Sequence, residues 1–539
     1  MGTLTSTGTL TAGNSRTFTF APGAALALTL SPNPRVTITE TPESIAGSGV
    51  GGNATRVHEP QLPGTFTYGP YAMGGVVVVA VASNSGSSVA WTRKDTVVTT
   101  SSDGTSLVDG GGITYPLQSR RRSEALVRFQ GICKASSPFN IAASTVNQTY
   151  TVKLEIEAPF SGVRILADNG APNAQTGNKM AIGVTETNAV TATALTASQN
   201  MSAPVIGGVA YDSALVTSGN LGYKQVTWAA SGTYNMGAGN AARQYLLSDW
   251  MSLQSVARAD GGSRPLLLMR QKPDPTGYNF LVASALMRSA TTANRGRTVV
   301  TSTYFGDGLT TPTGTHALGT TYVDTYPIFR FNVPVLSVWG VGDSIQQGNA
   351  TGIIADGYSN FVARACADVS SLTKPVVYAN LSCNSQTADY YWTNAKALLA
   401  AGVPPPSVLV TAPASVNDGS STPTVATIDA QRDRAYDMIA TCKLYGIPAI
   451  VWLPWLVNEN LTDISTTYYD SKRKQINAEL KAIAEAAGIA WITLTGLGDG
   501  ASPEKWVTAY KYDSFHPNEL AHESVMAPAL ATVLASLNA

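Results

Sequence analysis

The sequence predicts a multidomain protein in which N-terminal all-β, sandwich-like modules are followed by a C-terminal α/β three-layer domain built on a five-stranded parallel sheet. Three observations predict it. At roughly 150 residues per domain, 539 residues supply about three or four domains. The front of the chain is written in short alternating runs separated by Gly, Ser, Pro and Asn. From about Val333, short apolar runs alternate with helical periodicity.

Residues 1–115 read as the first module. Thr17-Phe18-Thr19-Phe20 and Arg35-Val36-Thr37-Ile38-Thr39 alternate with period two, and Val76 to Ala82 is an apolar run of strand length, so the expectation is a small β-sandwich without helix. Residues 116–149 read as a linker that holds the basic cluster Arg120-Arg121-Arg122 and a short helix over Ser123 to Cys133. Residues 150–332 form a second β-rich domain, a candidate for carbohydrate binding. Its strands run from Tyr150–Ile156 to Pro327–Phe331. In residues 333–539 the predicted strands are Val335 to Val341, Pro375 to Ala379, Ser407 to Thr411, Ala449 to Leu453 and Ala490 to Leu494. The helical patterns are Asp356 to Val369, Ala388 to Ala401, Val425 to Tyr445, Tyr468 to Ala487 and Asn518 to Leu537. Strands and helices in this alternation give a parallel sheet covered on both faces by right-handed crossovers. Ligands of such sheets bind beyond the carboxyl ends of the strands.

Composition narrows the function classes. Charged residues make up 13% of the chain, against a usual share of about 25%, so much of the surface is uncharged polar. That balance suits a β-rich particle or extracellular protein. Lys plus Arg and Asp plus Glu number 35 each, which leaves no global electrostatic drive toward nucleic acid or an anionic membrane. The start Met1-Gly2-Thr3-Leu4-Thr5-Ser6 shows no basic n-region or apolar h-region, so no signal peptide is expected. The run Val76 to Ala82 is too short to span a bilayer, and no membrane insertion is expected. Cys133, Cys366, Cys383 and Cys442 lack Cys-x-x-Cys spacing and read as buried thiols, with Cys366–Cys383 the one pair close enough in sequence to consider bonded. His58 and His316 have no neighbours of metal-ligand spacing, so neither a metal nor a cofactor is expected. Gly47-Ser48-Gly49-Val50-Gly51-Gly52 fits a dinucleotide-loop pattern, but no strand and helix frame it.

The chemistry is carried by residues that the predicted winding brings to one sheet rim. Gly342-Asp343-Ser344 follows the first strand, Ser415-Val416-Asn417-Asp418 the third, and Asp513-Ser514-Phe515-His516-Pro517-Asn518 the fifth. A serine nucleophile needs a base within hydrogen-bond reach, a group that orients the base, and donors for the oxyanion that develops. Each residue also has a plainer reading: Ser344 as a helix cap, Asn417-Asp418 as a turn, Asp513 as the shaper of a bend, and His522 as a packing residue.

These blocks resemble those of the SGNH (GDSL-type) hydrolases, over the C-terminal 200 or so residues. The resemblance implies a flavodoxin-like fold and an esterase in which Ser344 is the nucleophile, His516 the base and Asp513 its orienting partner. It also implies an oxyanion hole from Asn417 and the backbone N–H groups of Ser344 and Ser385, the latter in Asn380-Leu381-Ser382-Cys383-Asn384-Ser385. The family usually has glycine where this chain has Ser385 and Ser415. Trp452, Trp455, Tyr390, Tyr391 and Trp392 follow strand or block ends, where aromatic faces would suit sugar rings or, equally, fill the core.

Phe66-Thr67-Tyr68-Gly69-Pro70-Tyr71 and the run after it resemble small β-modules of bacteriophage tail-fibre and tailspike proteins. That resemblance implies a virion or extracellular location, a homotrimer, other virion proteins as partners, and removal of O-acetyl groups from a bacterial surface polysaccharide. Two alternatives stand beside it: an inactive glycan-binding tail protein, and a non-phage extracellular short-chain acyl esterase.

Overall fold

In the computed structural model, the chain up to Leu154 and residues 271–326 are described by the backbones of their β-strands alone. Outside the described residues lie 170–174, 187–203, 211–220, 238–243, 349–359, 384–385, 419–424 and 461–466, with the single positions 260, 502 and 539. Two compact units result: one gathers Met1–Gln118, Ser420–Trp455 and Ser465–Trp491, the other Ser119–Gly419, Leu456–Ile464 and Ile492–Ala539.

The alternating front segments form two four-stranded antiparallel sheets. One runs in the order Thr3–Thr11, Ser88–Thr96, Ala25–Leu30, Gly64–Tyr68, and the other Ser15–Phe20, Gly75–Val81, Val36–Pro42, Arg56–His58. No helix occurs among the described residues of this region. The short helix expected over Ser123 to Cys133 is not formed around Val127–Phe129, which is a strand paired antiparallel to Ile328–Arg330. Pairing with a strand distant in sequence outweighs a weak local helical pattern. The glycine-rich segment Gly47–Gly52 and the cluster Arg120–Arg122 lie outside the described residues.

The next region is a two-sheet sandwich whose core shows period-two patterning directly. Val163, Ile165 and Ala167 on one strand and Phe329 and Phe331 on its neighbour face Met180, Ile182, Val184, Leu267 and Met269 of the second sheet in one buried cluster. Val335 and Val377, at the amino ends of the first two strands of the α/β region, join this same cluster. The sandwich therefore abuts the end of the parallel sheet opposite the carboxyl rim.

The parallel sheet has five strands, β1 (Leu336–Val341), β2 (Val376–Asn380), β3 (Val408–Thr411), β4 (Ala449–Trp452) and β5 (Ala490–Trp491), in the order 2-1-3-4-5. This is the flavodoxin-like order, with a switch point beside β1. Every residue of β1, β2 and β3 is buried, which explains why they read as continuous apolar runs. The helices are α1 (Ser344–Gln347), α2 (Phe361–Val369), α3 (Ala388–Ala400), α4 (Val425–Leu444) and α5 (Thr467–Ala486), followed by α6 (Glu519–Ala521), a π-turn (His522–Met526) and α7 (Ala527–Leu537). Asn360 caps α2 by accepting from Ala363 N at 2.9 Å, so the helix starts five residues later than the sequence pattern suggests.

By length and composition the helical stretch Glu519–Leu537 is apolar enough to cross a membrane. Its Ala521, Met526, Ala527, Leu530 and Leu534 are instead buried in the domain, where α7 packs on α2. Cys366, Cys383 and Cys442 are buried free thiols, so the Cys366–Cys383 pair is not bonded, and burial raises the Cys442 thiol above its ordinary range.

Candidate active site

The site begins where β1 ends. Val341 is the last strand residue, Gly342 and Asp343 turn the chain, and Ser344 opens α1. A Cβ on Gly342 would coincide with the side chain of Gln346, which folds back so that its amide donates to Val410 O at 3.2 Å. Glycine is needed there for that close approach. Asp343 caps α1 by accepting from Ile345 N at 3.0 Å, and Gly348 ends the helix in the left-handed region at φ 92°.

The turn after β5 is folded on itself. Tyr512 N donates to His516 O at 3.0 Å and Asn518 N to Tyr510 O at 2.8 Å, closing a loop that carries Asp513 and His516. Asn518 then caps α6 by accepting from Ala521 N at 3.0 Å. Within the loop, Asp513 Oδ1 accepts from the backbone N–H groups of Phe515 and His516 at 2.9 and 2.8 Å, which leaves Oδ2 for the His516 ring.

The two ends of the domain meet in a relay. His516 Nε2 stands 2.8 Å from Ser344 Oγ, and His516 Nδ1 stands 2.8 Å from Asp513 Oδ2. Ser344 and His516 are buried, at 1% and 5% exposure, so their hydrogen bond competes little with water. The Phe515 ring lies on the His516 ring at a 4.2 Å centroid distance. Burial opposes ionisation of Asp513, but the hydrogen bonds from the His516 ring and from Phe515 N and His516 N outweigh it and hold the carboxyl below its ordinary value. An ionised Asp513 fixes the tautomer with Nδ1–H, which leaves Nε2 free to take the Ser344 proton.

Residues 341–523 match the GDSL-like lipase/acylhydrolase family. This segment is a GDSL-type (SGNH) hydrolase domain. None of the curated proteins matches the chain. Among solved structures, the lipase/acylhydrolase from Enterococcus faecalis is similar at 12% identity and a TM-score of 0.27, over 37% of this chain and 95% of that one. An acetylxylan esterase from Geobacillus stearothermophilus is similar at 16% identity and a TM-score of 0.28, over 38% and 93%. A member of the lipolytic G-D-S-L family from Veillonella parvula is similar at 16% and 0.25, over 36% and 97%.

The remaining residues singled out in the GDSL domain divide into three groups. Asn417 sits in a 3₁₀ turn (Val416–Asp418) after β3, half-buried, with Nδ2 donating to Gln386 O at 3.0 Å and a second amide proton left over. Ser385 lies outside the described residues. Of the two readings open for the aromatics, burial favours the core for Trp452, Trp455 and Trp392, which are 0%, 1% and 2% exposed, while Tyr390 is half-buried. Tyr391, also buried, donates its hydroxyl to Ala412 O at 2.6 Å. The segment after β4 is held against α5, because Trp455 N donates to Asn477 Oδ1 at 2.7 Å and Trp455 O accepts from Asn477 Nδ2 and Arg473 Nη1. Residues at a strand's carboxyl end can point into the layers rather than over the rim, and sequence position does not separate the two.

His522 packs rather than acts. It is fully buried, its Nδ1 accepts from Phe361 N at 3.2 Å at the start of α2, and its ring lies 5.7 Å from that of Phe361. Burial first, then the charges of Arg364 and His516, push its pKa down to about 3. Arg364 holds the same corner by pairing with Glu519 at 2.7 Å and Glu523 at 3.0 Å.

Several contacts that shape the site are not written in the motifs. Asp418 Oδ2 accepts from Ser415 N at 2.9 Å and Oδ1 from Ala388 N at 3.1 Å, which ties the third block to the start of α3. Asn458 Nδ2 donates to Val416 O at 3.2 Å, and the neighbouring Glu459, 5% exposed, accepts from Trp506 N at 2.8 Å and pairs with Lys511. Glu459 lies seven residues past the end of β4 and carries no motif that marks it in the sequence. No group of three or more His, Cys, Asp or Glu side chains suited to a metal occurs among the described residues.

Proposed function

We propose that the GDSL domain is a serine esterase that removes short acyl groups, O-acetyl foremost, from a bacterial surface polysaccharide. The observation that carries the esterase reading is the unbroken relay from Asp513 through His516 to Ser344, at 2.8 Å for each ring contact. In this reading Ser344 Oγ attacks the ester carbonyl as its proton passes to His516 Nε2. Asp513 stabilises the imidazolium, and the oxyanion is met by Asn417 Nδ2 and by Ser344 N–H, which has no acceptor inside α1 because it belongs to the first turn. Ser385 N–H is the proposed third donor. The imidazolium then protonates the departing alkoxide, and a water activated by the same histidine releases the acid.

The polysaccharide part rests on the low charge of the chain and its β-rich front half, which also support a tail-fibre or tailspike setting with a homotrimer and other virion proteins as partners. An extracellular acyl esterase of non-phage origin shares the same chemistry.

Hydrolysis of p-nitrophenyl acetate tests the chemistry: Ser344→Ala and His516→Ala should each abolish turnover in a folded protein, and unchanged turnover in either would move the nucleophile elsewhere. Acetate release from acetylated bacterial glycans tests the substrate, and activity confined to long-chain lipid esters would sink that part.

A further inference from the structure

Ser415 stands where the resembled family usually has glycine, and the fold makes use of the extra hydroxyl. The side chain is buried, at 1% exposure. Its Oγ is 2.7 Å from Asp343 Oδ2, receives Asn417 N–H at 3.1 Å, and lies 3.2 Å from Gln386 O. A serine hydroxyl has one proton to give and can accept two. The carboxylate takes that proton, since a charged acceptor forms the shorter and stronger bond, and 2.7 Å is the shortest of the three contacts. Gln386 O is already served by Asn417 Nδ2 at 3.0 Å.

The consequence follows from what each partner does. Asp343 Oδ1 fixes Ile345 N and with it the turn that presents Ser344, while its Oδ2 also receives Val416 N at 3.3 Å. Asn417 is the side-chain oxyanion donor of the proposed reaction. One oxygen thus connects the turn of the nucleophile to the turn of the donor, a link that glycine has no atom to make.

We propose that Ser415 is a positioning residue that sets Asn417 against Ser344 through its hydroxyl. The proposal rests on the esterase reading above. Oxyanion donors work only near 2.7–3.1 Å from where the charge will develop, and a displacement of about 1 Å costs on the order of 10²-fold in rate.

A kinetic double-mutant cycle on the full chain tests it, with Ser415→Ala, Asn417→Ala and the double variant assayed on p-nitrophenyl acetate and each protein's melting recorded. Ser415→Ala is expected to lower kcat about 10- to 100-fold, with KM changed by less than about threefold. In the Asn417→Ala background the same change should cost less than about threefold, because the group it positions is gone. Ser415→Gly, the smaller change, carries the same reading should Ser415→Ala fold poorly. Losses that multiply in the double variant, or full kcat in a folded Ser415 variant, overturn the proposal. A wild-type protein with no esterase activity, or one whose rate survives Ser344→Ala, overturns the esterase reading instead, and the two failures are distinct.

Discussion

The backbone N–H of Glu459 donates to the carbonyl of Ser514 at 2.7 Å, inside the loop that holds Asp513 and His516. Its side chain serves Trp506 N and Lys511 at the same time. Glu459→Ala would leave a buried N–H and a half-buried ammonium without their acceptor. The expected result is a loss of about 1–3 kcal/mol in stability and a lower kcat, read by urea unfolding and ester hydrolysis. Glu459→Gln, which can still accept from Trp506 N, should recover most of the stability.

Asp513→Asn keeps the shape of the orienting group and removes its charge. The histidine then loses both its fixed tautomer and the counter-charge for its protonated form. A fall in kcat of about 10³–10⁴-fold in a normally folded protein is expected. Because the Asp513 carboxyl lies below its ordinary value, it keeps its charge to lower pH than a free aspartate would. The stability it contributes is present above the unfolded value and is lost only as pH falls through the lowered one. A pH–rate profile of wild type and variant checks both statements.

His522 makes a separate pH prediction. Unfolded, it takes a proton near its ordinary value of 6.5, whereas folded it stays neutral down to about 3. The unfolded chain therefore binds the extra proton across that window. Stability from this residue is full above 6.5 and declines as pH falls toward 3, by an amount on the order of 5 kcal/mol over the whole window. Urea midpoints measured between these limits should fall with pH in the wild type and fall less steeply in His522→Asn. Equal slopes would contradict the assignment.

Trp455→Ala separates core from rim. A buried indole removed from the core should cost about 3–5 kcal/mol, with no selective rise in KM for glycan esters over p-nitrophenyl acetate. A selective rise with unchanged melting would restore a substrate-binding role.

The sequence by itself determined the α/β architecture of the C-terminal region and the residues of the relay. Buried parallel strands must be continuous apolar runs, helices between them must carry a 3.6-residue period, and the strand-end rule then brings Ser344, Asn417, Asp513 and His516 to one rim. The need for glycine at position 342 was not legible, because it comes from the Gln346 side chain folding back against it. Local pattern did not determine which way a strand-end aromatic points, so Trp452 and Trp455 could be read as rim or core until the helices were packed against them. Nor did it distinguish a weak helical pattern from the strand Val127–Phe129, whose partner is about 200 residues away in sequence. The couplings through Ser415, Asp418 and Glu459 were decided by tertiary structure alone, because a hydrogen bond between turns depends on distances that winding sets and that no spacing along the chain encodes.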